Sequence, residues 1–415
     1  MVKRWSEFLD GQRERAGVLR QHLPTFVTAH AGRGYAKSTA EHQIRLVAEL
    51  GRWLERRNLL VRDLDEQRCK DFLRYRQRQG LRIRAHRTTV RILLEVLRNS
   101  GVTRSRDEIG PPDGADPFGV MQDAFKRHVL EERGLSEATL INYVRVFRRF
   151  LHTRVKAGAV DLNELRASAV TEFVAHEARS RSRHMQVIVP ATRLFLRWLY
   201  QRGEIRTDLA RCVPAVANWR LATVPKAISP KEIARLLGSC DRATAAGRRD
   251  YAILLLLARL GLRAGEVVAL HLDDIDWERG EVVVHGKGKR QDRLPLPQDV
   301  GAALAAYLRQ GRPRCLSRRV FVRTRAPYQE FSSSVAVCNI IERGFRRVKL
   351  EPSRKGAHAL RHALACAMLR HGASLPEIGQ ILRHRSCNTT AIYAKVDLSA
   401  LRGLAPAWPR SAGVA

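Results

Sequence analysis

Ala357-His358-Ala359-Leu360-Arg361-His362, Leu382-Arg383-His384-Arg385 and Thr389-Thr390-Ala391-Ile392-Tyr393 follow one another near the end of the chain. Two upstream stretches belong with them: Leu260-Gly261-Leu262-Arg263-Ala264-Gly265-Glu266 and Gly286-Lys287-Gly288-Lys289. From them, Arg263, Arg361, Lys287, His358, His384 and Tyr393 make a set of two guanidiniums, one ammonium, two imidazoles and a phenol. Such a set suits an anionic phosphate centre attacked by a hydroxyl. Two converging arginines can bind nonbridging oxygens through charge-assisted hydrogen bonds that strengthen as charge builds up.

Each residue also has an ordinary reading. A single arginine in so basic a chain is by default a surface ion pair, and only the pattern raises Arg263 and Arg361 above that. Arg263 follows Gly261 at the expected start of a helix, where backbone N–H groups also favour an anion. His358, Arg361 and His362 are three and four residues apart and share a helical face. Histidines at i and i+4 can bind zinc, but Ala359 stands where that chemistry needs a glutamate, so no metal is expected. Gly286-Lys287-Gly288-Lys289 lacks the residues of a P-loop and could be a generic phosphate-contacting turn. Tyr393 could be a core tyrosine. As a nucleophile its phenol, ordinarily titrating near about 10, needs a base or a cationic site. Glu266 is placed to orient an arginine.

The 415 residues suffice for two or three domains, and 45% apolar content marks a globular chain. A net charge of +34, mostly from arginine, points to a polyanion, nucleic acid before an anionic membrane surface. The first residues lead into no apolar run, and the longest apolar stretch, Ala252 to Ala258, is too short to span a membrane. The seven scattered cysteines include no CxxC pair and read as reduced thiols of a cytoplasmic protein.

Residues 1–105 read as helical, with Ser38 and Glu41 as a capping box and helices over 66–79 and 86–99. Gly110-Pro111-Pro112-Asp113-Gly114 marks a linker. Residues 118–219 resemble a repeat of the first hundred: Ser136 caps a helix whose Val144, Phe147 and Phe150 follow Ile44, Val47 and Leu50 by one hundred positions. Leu64 and Phe72 match Leu165 and Phe173, and Leu97 matches Leu199, with a small drift. After a linker over 220–228, Ser229-Pro230-Lys231-Glu232 opens a third domain, 229–415, as a capped helix. It continues with helices over 250–260, 302–310, 335–350, 358–370 and 375–382, and strands over 281–285 and 293–296 around the Gly-Lys-Gly-Lys turn. A short tail helix beyond 397 completes a mainly α chain with a small antiparallel β-sheet.

Taken together, residues 120–397 resemble the tyrosine recombinases, or phage integrase family. The resemblance implies helical N-terminal DNA-binding modules and an α+β tyrosine-recombinase catalytic domain. Residues 118–219 would be the core-binding, SAM-like domain and 1–105 a similar second module. It further implies catalytic roles for Arg263, Lys287, His358, Arg361, His384 and the nucleophile Tyr393, with Glu266 and His362 in support. His358 would assist the scissile phosphate, His384 would hydrogen-bond a phosphate oxygen, and Lys287, preferred over Lys289, would protonate the departing 5′ oxygen. The family often has Leu-Gly-His where this chain has Leu382-Arg383-His384, and Arg383 is expected to add a DNA contact. The implied reaction cuts and rejoins double-stranded DNA through a 3′-phosphotyrosine link, with no cofactor. Its setting would be a homo- or hetero-tetramer on two DNA sites, with a partner recombinase possible. The implied role is integrating, excising or transposing a mobile element at the bacterial nucleoid. Two alternatives share these residues: a non-catalytic accessory subunit of a recombinase complex, and a type IB topoisomerase-like enzyme. A metal-dependent nuclease is a third, which insensitivity to a chelator would exclude.

Overall fold

The computed structural model describes residues 6–80, 84–103, 119–153, 155–156, 159–160, 162, 165–181, 184–215, 227–286, 290–352, 356–384 and 386–396. The linker expected over 105–117, most of that over 220–228, and the tail from 397 lie outside these residues, as do Lys287 and Lys289. The chain forms two compact units, residues 104–220 and residues 1–103 with 221–415.

The larger unit begins with a helical bundle: α1 (Ser6–Glu14), α2 (Leu23–Ala31), α3 (Lys37–Glu55), α4 (Glu66–Arg78) and α5 (Arg84–Asn99). Helix α3 buries Ile44, Val47, Leu50 and Leu54 and turns its charged residues outward, as an amphipathic period requires. Ser38 is not its cap. The helix already starts at Lys37 with Ala36 as N-cap, so Ser38 lies in the first turn, and Glu41 instead faces Lys37 and Arg45 at 3.8 Å each. The sequence pattern missed this because the boundary depends on where the preceding loop releases the chain.

The second unit holds α6 (Gly119–Arg127), α7 (Glu137–His152), the two-residue strands β1 (Val155–Lys156) and β2 (Ala159–Val160), α8 (Ala167–Arg181) and α9 (Met185–Gln201). Ser136 caps α7 by accepting from the Thr139 N–H. The core is aromatic: Phe125 stacks on Phe147 with centroids 5.2 Å apart, and Phe147 meets Phe195 edge-on at 4.7 Å. Phe147, Phe150, Phe173 and Leu199 are buried here, and their counterparts Val47, Leu50, Phe72 and Leu97 are buried in the first bundle. Val144 departs from its counterpart Ile44 in being only partly buried.

Residues from 227 onward build on α11 (Ala245–Leu260), whose Ala252 to Leu257 are almost wholly buried. Burial of such leucines contributes about 1.5–3 kcal/mol each. Helix α10 (Pro230–Gly238) precedes it and carries the capping box of Ser229 and Glu232. After α11 come α12 (Ala264–Ala269) and an antiparallel sheet in the order β3 (Ile275–Asp276), β4 (Glu281–His285), β5 (Gln291–Pro295). Strand β4 buries Val282 and Val284 and turns the alternate residues away, and Val283 pairs with Arg293 in β5. Then follow α13 (Gln298–Gln310), α14 (Val335–Arg347), α15 (Ala357–Arg370), α16 (Leu375–Ile381), α17 (Cys387–Thr390) and a 3₁₀ segment, Ala391–Val396. A small satellite core joins α15, α16 and Tyr393 through Ala365, Cys366, Ile378 and Leu382.

Candidate active site

Helix α11 must end abruptly for the site to form. Gly261 takes the left-handed conformation, with φ +57°, and an added Cβ would lie 2.7 Å from Leu382 Cδ2. The chain turns, buries Leu262 and starts α12 with Arg263 as N-cap. Glu266, in the first turn, accepts from the Arg263 backbone N–H at 2.9 Å and from its guanidinium at 2.6 Å. Arg263 keeps 41% of its side chain exposed, whereas Glu266 keeps 5%. Burial pushes the Glu266 carboxyl up, but the Arg263 N–H, Arg383 and the Arg263 guanidinium outweigh it and hold it below the usual carboxylate range.

Helix α15 brings His358, Arg361 and His362 within two turns. Arg361 is buried, with one Nη donating to the Gly261 carbonyl at 2.5 Å and the other to the Leu382 carbonyl. Burial first, then Arg263 and Arg383, pull its guanidinium down to about 10, so it stays protonated at neutral pH. His358 is exposed in the first turn of the same helix.

Past the end of α16, Arg383 adopts φ +55°, a conformation rare outside glycine and asparagine. Its carbonyl accepts from Arg263 Nη2 at 3.5 Å, and its own guanidinium donates to Glu266 at 2.9 Å and to the Ile381 carbonyl at 3.2 Å. Arg383 is only 6% exposed. The expected DNA contact is therefore corrected: the side chain turns inward to a buried carboxylate. Sequence reading missed this because an arginine in a basic chain looks like surface. The available signal was its place in a position where glycine is common.

His384 lies half-buried beside the arginines, its Nδ1 2.7 Å from Thr390 Oγ1. Burial, then Arg361, Arg263 and Arg383, drive its imidazole down to about 4, so it is neutral at physiological pH. Tyr393 is 1% exposed, and its Oη lies 2.7 Å from His362 Nδ1. The phenol is close enough to Arg361 to act on its titration. Arg263, Glu266, Arg361, His384, His362 and Tyr393 thus share one neighbourhood, with Arg383 added. Lys287 lies outside the described residues, between β4 and β5 in the sequence. The backbone of that hairpin closes where the Gly286 N–H meets the Arg290 carbonyl at 2.7 Å. A cavity of about 480 Å³ opens beside His384 and Arg383, lined also by Arg290, Gln380, Asn388 and Thr390.

This arrangement can hold an anion against guanidiniums, and it keeps a nearby phenol against an imidazole able to take its proton. Known proteins resemble this chain in sequence and in fold. Residues 226–399 match the phage integrase family and residues 123–203 match its N-terminal SAM-like domain. The chain is 44% identical over 400 residues to y4rA of Sinorhizobium fredii, named provisionally as an integrase/recombinase, covering 95% of this chain and 96% of that one. It is 30% identical over 286 residues to tyrosine recombinase XerC of Pseudomonas aeruginosa, covering 67% of this chain and 91% of that one. Among solved structures, a lambda integrase dimer bound to a core site superposes with TM-score 0.52 at 17% identity, covering 68% of this chain and 95% of that one.

Proposed function

The chain belongs to the phage integrase family of tyrosine recombinases, and from that premise we propose how its residues divide the work of breaking and rejoining a DNA strand. The protein is a tyrosine-type site-specific recombinase. In our reading, Tyr393 Oη attacks the scissile phosphorus and His362 takes the phenolic proton. The bond to the 5′ oxygen breaks, Lys287 protonates that oxygen, and a 3′-phosphotyrosyl link remains. Attack by a 5′ hydroxyl of a second strand reverses each step. The bond energy stays in the link, so the scheme balances with no nucleotide and no metal. Arg263 and Arg361 bind the nonbridging oxygens, His358 and His384 add hydrogen bonds to them, and Glu266 orients Arg263.

The observation that carries this reading is the 2.7 Å contact between Tyr393 and His362 beside the buried Arg361. A phenol is a poor nucleophile at neutral pH unless a base or cations support it, and here both stand close. Tyr393 is almost wholly buried, so attack requires the 391–396 segment to shift and present its oxygen. We assign residues 1–105 and 118–219 to holding duplex DNA, 229–415 to catalysis, and four subunits to each pair of DNA sites. The net charge of +34 supports affinity for phosphates. The names of y4rA and of the lambda integrase support movement of a mobile element, in the bacterial cytoplasm where such DNA lies. Among the described residues no helix is long and apolar enough to cross a membrane.

The test is covalent trapping. Nicked DNA carrying the ends of the protein's own genetic element is incubated with the protein in a chelator, then denatured. A denaturant-resistant adduct in the wild type, absent in Tyr393→Phe, is expected. Tight DNA binding with no adduct would favour an accessory subunit. Supercoil relaxation without strand exchange would favour the topoisomerase-like alternative.

A further inference from the structure

Three successive carbonyls at the end of α16 each accept from a different arginine. Ile381 accepts from Arg383, Leu382 from Arg361, and Arg383 from Arg263. The left-handed backbone at Arg383, φ +55°, turns the last of these carbonyls toward Arg263. Glu266 is shared in the same way: Oε1 takes the Arg263 guanidinium, and Oε2 takes the Arg263 N–H and the Arg383 guanidinium. The Arg383–Glu266 pair is sealed from solvent, with side-chain exposures of 4% and 5%. A buried pair of this kind is a poor source of net stability, because desolvation offsets the attraction.

The charge balance suggests what the pair is for. Without Arg383, the buried Glu266 carboxylate would have Arg263 as its main partner and would offset its charge. With Arg383 present, Arg263 and Arg383 both bond the carboxylate and Arg361 lies near it, so three guanidiniums and one carboxylate leave two net positive charges. A phosphodiester brings one negative charge, and attack by a deprotonated phenol adds a second. The cluster therefore matches the attacked phosphate better than the resting one, which is the condition for lowering the barrier.

We infer that Arg383 is a positioning residue of strand cleavage: its guanidinium offsets Glu266, and its left-handed backbone aims the carbonyl that steadies Arg263. The assignment rests on the recombinase reading above. Arg383 does not itself touch DNA, and its contribution is to the chemical step.

The test uses the full-length protein and nicked DNA, measuring the single-turnover cleavage rate at saturating DNA, the Kd for DNA and the melting temperature. Arg383→Gly keeps the left-handed backbone and deletes the guanidinium. It is expected to fold, to bind DNA as the wild type does, and to cleave about 100-fold more slowly, the scale for losing one preorganised charge at such a site. Arg383→Lys is expected to recover part of the loss. The double variant Glu266→Gln/Arg383→Gly is expected to cleave faster than Arg383→Gly alone, because the uncompensated carboxylate is gone. A merely structural role predicts the reverse, since the double variant loses more contacts. Wild-type cleavage by Arg383→Gly, a weakened Kd with an unchanged saturated rate, or a double variant slower than the single would each overturn the assignment. Arg383→Asn, which also tolerates this backbone, is the second variant. Failure of both to fold would make Arg383 a core-filling residue and overturn it too. An adduct missing from the wild type would instead overturn the reading of the reaction itself.

Discussion

Tyr393 Oη sits 2.7 Å from His362 Nδ1, one residue along α15 from the buried Arg361. The nucleophile we assign is thus held by an imidazole on the helix that also supplies Arg361, to which we assign phosphate binding. If His362 takes the phenolic proton, His362→Ala lowers the single-turnover cleavage rate about 10²–10⁴-fold at neutral pH. The deficit should shrink at high pH, where hydroxide can take the phenolic proton in place of the imidazole. A pH-rate profile checks this. An equal deficit at every pH would reduce His362 to a packing partner.

Gly261 ties the end of α11 to α15 and to the residue that follows α16. Gly261→Ala forces a side chain into a left-handed conformation and places Cβ 2.7 Å from Leu382 Cδ2, while Leu382 and Gly261 supply the carbonyls that hold Arg361. The strain alone is worth about 1–3 kcal/mol. Thermal melting should fall and cleavage should fall with it. Gly238→Ala, where a Cβ meets nothing within 4 Å, is the control and should leave both nearly unchanged.

The His384 imidazole is lowered to about 4 by burial and by Arg361, Arg263 and Arg383. The sign follows from linkage. The unfolded chain takes up the proton near the ordinary value of about 6.5, while the native site refuses it until about 4. Stability that is full above the unfolded value is lost as pH falls through this window. His384→Gln should show a smaller loss of melting temperature across it. Histidine NMR on the DNA-free protein should find His384 neutral down to about 4, and titration near 6.5 would contradict the burial and charge argument.

The net charge of +34 predicts that DNA binding weakens steeply with salt. For several phosphate contacts, affinity should fall about 10³-fold or more between about 50 and 200 mM salt. A plot of log Kd against log salt checks this. A shallow slope would mean that most of the arginines are engaged within the protein.

Much of this organisation is legible in the residues alone. The α10 cap, the apolar run of α11 and the alternation in β4 each follow from local patterns, and the structure has them at those places. The grouping of Arg263, Glu266, Arg361, His384 and Tyr393 was expected from the resemblance to the tyrosine recombinases, and the structure brings these side chains into one neighbourhood. What stayed hidden depends on distant chain. Strand β3 is two residues long, too short for any alternation to show, and exists only because β4 pairs with it. Ser38 has the composition of a cap but lies inside a helix already begun. The inward turn of Arg383 needs both a left-handed backbone, hinted at only by its standing where glycine is common, and a carboxylate 117 residues away, which leaves no trace in the neighbouring sequence.

The most direct measurement is mass-spectrometric mapping of the trapped protein–DNA adduct after proteolysis. The account predicts a nucleotide 3′-phosphate esterified to the Tyr393 oxygen, formed in the presence of a chelator. A nucleotide on any other side chain, or cleaved DNA with no covalently modified peptide, would contradict it.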